Sequence, residues 1–266
     1  MQNVKLYMFP GSNSVLTGRL MLEHKGLQYR CVTLIPGAHA FMMLGLGFPT
    51  MGVPGLKIDG RRVQGTRWIS RVLDELVPER PLFPADPVRR KAVEHAERWG
   101  EEFQNATRRI FYCGTRRDPK AFSSVMTPGR SLPARAALRM SAPLIVRLAT
   151  GAHRATDEAG REDLMLLPER LDQIESWIAD GLLDGDELNA ADFQIAVNVR
   201  ALLFAEDLAP FVQSRPALER WARRVAPDYP GRLRAVLPAE WLQPLHEALG
   251  NAPEGRLPVG TATAGS

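Results

Sequence analysis

The sequence predicts an α/β domain followed by an all-helical one. Strand-like and helix-like apolar runs alternate β-α-β-α-β-β-α in fewer than 80 residues. A proline-rich stretch closes that segment, and only helical periodicity follows it.

Residues 4–8, Val-Lys-Leu-Tyr-Met, alternate as a short strand. Phe9-Pro10-Gly11-Ser12-Asn13-Ser14 breaks the chain with turn residues. Val15 to Lys25 has helical spacing through Leu16, Leu20, Met21 and Leu22, and Gly26 is its stop signal. Tyr29 to Ile35 reads as a second strand. Pro36-Gly37 opens a Met- and Gly-rich stretch to Gly47 that fits a short helix with loops. Gly55 to Ile58 is a third strand, Asp59-Gly60 a hairpin turn and Arg61 to Gln64 the returning strand. Thr66 to Val77 is a helix with Ile69, Val72, Leu73 and Leu76 on one face.

The first half is expected to pair in parallel through its crossover helices, and the hairpin adds an antiparallel strand. This is a thioredoxin-like arrangement; a truncated ferredoxin-like unit is the other arrangement with such an order. The stretch from Pro78 to Pro87 contains four prolines and reads as an extended linker. Beyond it, helices are expected over Val88–Arg109 (running on toward Tyr112), Arg135–Thr150 with Pro143 as a kink or break, and Glu158–Asp180. In that third helix Leu164, Leu167, Leu171, Ile174 and Ile178 form one stripe. Ala190–Ala205, Pro216–Val225 and Ala239–Leu249 complete the set. The expected organisation is a thioredoxin-like domain at 1–78, a linker at 79–87, a helical domain at 88–250 and a disordered tail at 251–266, rich in Gly, Ala, Thr and Pro.

Composition bounds the partners. With 45% apolar and 24% charged residues in 266, the chain has ordinary globular composition and can bury a core without disulfides or metals. The net charge of +4 comes from basic residues scattered beside acids on helices, so a solvated surface is expected rather than a nucleic-acid site. The two cysteines, Cys31 and Cys113, lie far apart and form no CxxC pair. That excludes a disulfide framework and a zinc ribbon and fits a reducing compartment. No run approaches about 18 consecutive apolar residues, and the first residues lack the basic-then-apolar pattern of a signal peptide. A cytoplasmic protein without membrane partners is the expectation.

Three places carry chemistry. Val53-Pro54 directly precedes a strand. A proline donates nothing to a sheet ladder and therefore suits a strand start. In a thioredoxin-like order this proline is expected to be cis, leaving the amide and carbonyl of Val53 free to pair with an extended peptide. The loop Pro10–Ser14 opens a helix, whose free amides and positive dipole end favour an ionised thiol. Ser12 can donate a hydrogen bond to such a thiolate, and the sulfur must come from a bound substrate because no CxxC stands here. Ser12 or Ser14 also suits a plain N-cap. Gln64-Gly65-Thr66-Arg67 joins the fourth strand to its helix. There Thr66 reads as an N-cap among amides that favour a carboxylate.

Leu6-Tyr7 through Ser12, Gly52-Val53-Pro54, Gly65-Thr66-Arg67-Trp68-Ile69 and Pro81-Leu82-Phe83-Pro84-Ala85-Asp86-Pro87 together resemble a bacterial glutathione S-transferase. Leu188-Asn189-Ala190-Ala191-Asp192-Phe193 is similar to that family's capping segment, with Asn189 as cap and Asp192 reaching back. The resemblance implies that Ser12 steadies the thiolate and that Val53 and Pro54 present the backbone to the cysteinyl unit. It implies that Thr66, with Gln64 and Gly65, meets the γ-glutamyl carboxylate and that His39 contacts the glycyl end. Gly65 and Gly52 depart from the family, which often carries Glu or Gln at the first position and a polar residue at the second.

The resemblance further implies an electrophile pocket between the domains, with Phe9, Phe103, Tyr112 and Arg109 as candidates and Phe41 and Met42 at its rim. It implies glutathione or a similar small thiol as cosubstrate, no covalently bound cofactor, no metal, a small-molecule electrophile, a role in detoxification and a homodimer. The function expected on this ground is conjugation of the thiol to a hydrophobic electrophile. A non-catalytic binding module on the same fold and a thiol-dependent isomerase or peroxidase are the alternatives.

Overall fold

The structure is a computed structural model and is described for residues 3–35, 38–126, 132–229 and 231–250; the tail expected at 251–266 lies outside these. In chain order the N-terminal part consists of β1 (Val4–Met8), α1 (Asn13–His24), β2 (Arg30–Thr33), α2 (His39–Gly45), β3 (Gly55–Ile58), β4 (Arg61–Gln64) and α3 (Thr66–Leu76). The four strands form one sheet in the order β2-β1-β3-β4. β1 pairs in parallel with β2, whereas β3 is antiparallel to both β1 and β4. Parallel pairing therefore stops at β1–β2, against the expectation for the whole first half. The connection from β2 to β3 holds only the seven-residue α2, which rises about 10 Å and does not return the chain to the far end of the sheet. The result is a thioredoxin-like unit.

The register decides what meets what. Tyr7 lies opposite Gly55, and Gly55 lies opposite Gln64. The end of β1, the start of β3 and the end of β4 thus share one rim of the sheet. Gly55 sits where backbone and core come close: a Cβ there would stand 2.6 Å from Met43 Cε and 2.8 Å from the Phe48 ring. Met43 and Phe48 are buried with Tyr7 and Leu34 in a small cluster under this rim.

From Leu76 the chain runs to α4 (Pro87–Arg117) through a segment that is pinned rather than loose. The Leu82 amide donates to Asp74 Oδ1 (2.7 Å), its carbonyl accepts from the Ala190 amide (2.9 Å), and Leu82 and Phe83 are buried. The Arg71 and Arg90 guanidinium groups lie 4.5 and 5.0 Å from the Phe83 ring, contacts worth roughly 0.5–1 kcal/mol each where exposed.

The rest is helical: α5 (Pro119–Met126), α6 (Leu132–Ala152), α7 (Asp157–Met165), α8 (Leu167–Ala179), α9 (Ala190–Phe204), α10 (Ala209–Gln213), α11 (Pro216–Val225) and α12 (Ala239–Gly250). Four details differ from the sequence reading. α4 extends to Arg117, α5 and α10 are additional helices, and α6 continues through Pro143. The single helix expected at Glu158–Asp180 is two, split at Leu166. Pro168 in the first turn of α8 has no amide to return to Leu164, so the first helix ends there. Leu164, Leu167, Leu171 and Ile174 are nevertheless buried as one stripe, while Ile178 is only partly buried.

The centre of this half is α9, buried along nearly its whole length, Arg200 and Asp192 included. Its start is a complete capping box. Asn189 Oδ1 accepts from the amides of Ala191 (2.9 Å) and Asp192 (3.4 Å), and Asp192 Oδ2 accepts from the Asn189 amide (2.9 Å). Asp192 Oδ1 also accepts from the Asp184 amide (2.9 Å) and Trp221 Nε1 (2.8 Å). Burial raises this carboxyl above its ordinary range, and these donors oppose the shift. α9 packs on α4, α1 and α11, which ties the helical part to the sheet domain.

Candidate functional site

The loop after β1 delivers Phe9–Ser12 to the rim defined by Tyr7, Gly55 and Gln64. Ser12 occupies the N-cap position of α1, and its carbonyl accepts from the Leu16 amide (3.1 Å), yet its side chain makes no capping bond. The amides of Asn13 and Val15 have no helical acceptor. A partly buried hydroxyl and the positive end of a 12-residue helix therefore open onto the same place.

Ser14 behaves differently. It is buried, with its Oγ 2.7 Å from the Gln104 side-chain amide and 3.2 Å from Arg108 Nη2. The orientation of the Gln104 amide follows from its partners: with its oxygen toward Ser14 it accepts from the Ser14 hydroxyl, from the Ser14 amide (3.0 Å) and from Arg108 (3.2 Å). Ser14 belongs to an internal network reaching Gln194 on α9, and Ser12 is the serine whose hydroxyl is free of the helix start.

Across the rim the Val53–Pro54 peptide is cis. Among the described residues neither the amide nor the carbonyl of Val53 has a backbone partner. Pro54 is buried, its ring faces Gly18 of α1, and its carbonyl accepts from the Gly65 amide (3.1 Å). That bond links the start of β3 to the start of α3. Gly65 is the N-cap of α3 with φ 87°, a conformation that L side chains rarely adopt. Thr66 was expected as the cap and is instead the first helical residue, buried, with the amides of the first turn around it. The lack of a side chain at Gly65 is thus set by the backbone, whereas Gly52 has no positive φ and a Cβ there would meet only Thr50 Oγ1, at 3.8 Å.

Gln64 is engaged locally. Its Nε2 donates to the carbonyls of Thr50 (2.8 Å) and Gly52 (2.5 Å), and its Oε1 accepts from the Thr50 amide (2.9 Å). A surface cavity of about 430 Å³ adjoins Gly52, Val53, Gln64, Gly65 and the exposed Trp68, within the size range of small-molecule sites. Ser12, His39, Pro54 and Thr66 do not line it. His39 begins α2 with its ring 4.7 Å from that of Phe9. Its Nδ1 is buried without a partner among the described residues, and burial lowers its pKa.

The residues proposed for a second substrate separate into two groups. Phe9 and Tyr112 pack in one satellite cluster with Phe122, Leu138, Ala142 and Val146, where the β1–α1 loop meets α4, α5 and α6. Met42 packs near Tyr7 and Val53, and Phe41 is 73% exposed. Two further candidates lie apart from this cluster. Phe103 is 2% exposed and stacks on Trp99 inside the main core. Arg109 turns to α7, where its Nε and Nη2 donate to the two oxygens of Asp163 (2.6 and 2.9 Å).

One residue earlier, Arg108 turns to the start of α1, where its Nη2 donates to the Ser14 hydroxyl, and the sequence reading did not single it out. Adjacent helical residues point about 100° apart, and which of two neighbouring arginines faced inward was not visible in the local pattern. Beside Arg108, His153 stacks on Tyr112 (5.3 Å between centroids, 5° between planes). Its pKa is lowered to about 4, first by burial and then by the Arg108 charge. Burial raises the Tyr112 phenol.

Residues 6–81 match the family described as Glutathione S-transferase, N-terminal domain. No curated protein matches the sequence. Among solved structures, the β-etherase LigF from Sphingobium sp. strain SYK-6 is similar at 23% identity and a TM-score of 0.61, over 84% of this chain and 94% of that one. A glutathione S-transferase from Sinorhizobium meliloti 1021 is similar at 21% identity and a TM-score of 0.57, over 89% and 96%. A glutathione S-transferase from Methylobacterium radiotolerans JCM 2831, solved in complex with glutathione sulfonate, is similar at 19% identity and a TM-score of 0.52, over 89% and 98%. These structures share the fold of this chain.

Proposed function

Residues 6–81 match the glutathione S-transferase N-terminal domain, and on that match and the geometry of the rim we propose that the chain binds glutathione or a related small thiol at the rim of the sheet and transfers the sulfur to a hydrophobic electrophile. The observation that carries this reading is the row Tyr7–Gly55–Gln64, which brings Ser12, the open backbone of Val53 and the start of α3 to one end of the sheet. In the reaction the thiol proton leaves to solvent, and Ser12 with the first amides of α1 holds the thiolate. The thiolate then forms a carbon–sulfur bond while the electrophile's leaving group departs. Thr66 and the first-turn amides of α3 receive the γ-glutamyl carboxylate, Val53 pairs with the cysteinyl backbone and His39 lies toward the glycyl end. The same reading includes a second copy of the chain against α3 and α4, supported by Trp68 on α3, which is 70% exposed.

The test is Ser12→Ala assayed with 1-chloro-2,4-dinitrobenzene and glutathione. Turnover is expected to fall sharply with the circular dichroism spectrum unchanged, and unaltered turnover would remove Ser12 from its role. A second reading, a binding module without catalysis, is favoured by one feature. The Gln64 amide is spent on the 50–52 loop and Gly65 offers no side chain, so the γ-glutamyl end has few polar groups. Retention on immobilised glutathione without conjugation would select that reading.

A further inference from the structure

Arg108 stands where the two parts of the chain meet, on α4 against the start of α1. Among the described residues no carboxylate lies within ion-pair distance of it. Its Nη1 donates to Asn105 Oδ1 (3.0 Å), and its Nη2 donates to two neutral groups, the Ser14 hydroxyl (3.2 Å) and the Gln104 side-chain oxygen (3.2 Å). Glu101, on the same helix, is paired with Arg67 (3.4 Å). The neighbouring Arg109 satisfies the acid of α7, Asp163, which also holds Arg170 (3.0 Å).

A guanidinium carries five N–H donors in a planar fork that matches a carboxylate, and a partly dehydrated cation without an anion is costly to keep. Arg108 is partly buried, and burial weakens its hold on the proton. Its Nε has no hydrogen-bond partner among the described residues and is not among the sealed polar atoms, so that edge of the fork remains open.

The surroundings of Arg108 are aromatic. Tyr112 lies one helical turn on, stacked against His153, and Phe9 comes across from the β1–α1 loop into the same cluster. No hydrogen-bond partner is found for the Tyr112 hydroxyl among the described residues. A cation, a phenol and flat apolar faces thus converge beside the loop that holds Ser12.

We propose that Arg108 is the anion-binding residue of the second-substrate site, and that the electrophile is an aromatic acid whose carboxylate pairs with Arg108 while its ring packs against Phe9 and Tyr112. This rests on the thiol-transfer reading for the reaction but not for the binding. An aromatic carboxylate is the class that uses the fork and the ring faces together. A neutral electrophile of the same shape would leave the Arg108 charge without an anion.

The test compares matched ligands that differ in the acid alone. Binding of 3,5-dinitrobenzoate and of 1,3-dinitrobenzene is measured by calorimetry on the wild-type protein, Arg108→Met and Arg108→Lys, without thiol. The wild type is expected to bind the benzoate at least tenfold more tightly than the neutral ring. In Arg108→Met the two affinities converge, and Arg108→Lys keeps part of the difference because it keeps the charge but not the fork. Conjugation is then measured with 4-chloro-3,5-dinitrobenzoate and 1-chloro-2,4-dinitrobenzene, the thiolate displacing chloride in each.

Preference for the benzoate in binding but turnover of neither chloride would leave the anion site standing and overturn thiol transfer. Equal wild-type affinities, or a preference that survives in Arg108→Met, would overturn the anion site whatever the turnover. If Arg108→Met does not fold, Arg108→Lys decides: a wild-type preference undiminished in that variant refutes the role of the fork.

Discussion

Tyr229 donates its hydroxyl proton to Asn13 Oδ1 at 2.7 Å across 216 residues of sequence. Asn13 Nδ2 in turn donates to Asn198 Oδ1 (3.1 Å) on α9, and Asn198 Nδ2 to the Gln194 carbonyl (2.8 Å). The residue next to Ser12 is therefore held from two directions by the helical half. Burial raises the Tyr229 phenol, which stays protonated and donating, and the Arg200 guanidinium 5.8 Å from its ring centre opposes that shift.

Tyr229→Phe removes this one donor and keeps the ring that packs on Phe204. The expected loss of stability is about 1 kcal/mol, the worth of one hydrogen bond, read from the urea midpoint. A loss of about 1 kcal/mol leaves the chain folded, so a fall in conjugation, expected because Asn13 loses its outer partner beside Ser12, reads positioning of the loop rather than unfolding. A variant with lowered stability and unchanged turnover would show that the bond holds the C-terminal segment only.

His153 makes the protein acid-sensitive in a definite window. In the folded chain its pKa is lowered to about 4 by burial and by Arg108, against 6.5 for the free side chain. Above pH 6.5 the ring is neutral in both states and contributes no proton linkage. As the pH falls from 6.5 toward 4 the unfolded chain takes up a proton that the folded one refuses, so stability drops; below about 4 both states are protonated and the penalty is constant. His153→Phe preserves a ring to stack on Tyr112 and removes this titration. The difference in Tm between wild type and variant is expected to change across pH 4–6.5 and to be flat at higher pH; a difference that stays constant through the window would contradict the assignment.

Asp192→Asn keeps the shape of the capping box and changes its donor balance. Three N–H groups, from Asn189, Asp184 and Trp221, converge on the two oxygens of Asp192. An amide turns one acceptor into a donor facing a donor, inside a fully buried helix start. The expected destabilisation is about 2–4 kcal/mol, the cap lost together with a buried hydrogen bond left unmade, measured by chemical denaturation. A loss below 1 kcal/mol, the scale of a single exposed contact, would mean that the three donors find other acceptors.

The β-α-β-α-β-β-α order was legible because its signals are local. Period-two runs, the Asp59-Gly60 turn, the Gly26 stop and the Asn189–Asp192 box each act within a few residues of chain. Val53-Pro54 could be located by its place in that order. The antiparallel sense of β3 was not legible, because it depends on how far the α2 connection carries the chain. The split at Leu166 is different: its cause, Pro168, was present in the sequence, and the continuous apolar stripe concealed it.

The chemistry divides in the same way. By itself the sequence determined that a helix opens after the first loop and another at the Asn189–Asp192 box, where a proline opens a strand and that no cysteine pair stands at the first loop, since each follows from the backbone and its nearest neighbours. Only the tertiary structure decided that Arg109 is taken by Asp163 while Arg108 faces Ser14, that Phe103 lies in the core while Phe9 and Tyr112 pack on one satellite cluster, and that Tyr229 reaches Asn13. One residue along a helix rotates a side chain by about 100°, and what it then meets is fixed by the packing of elements far away in the chain.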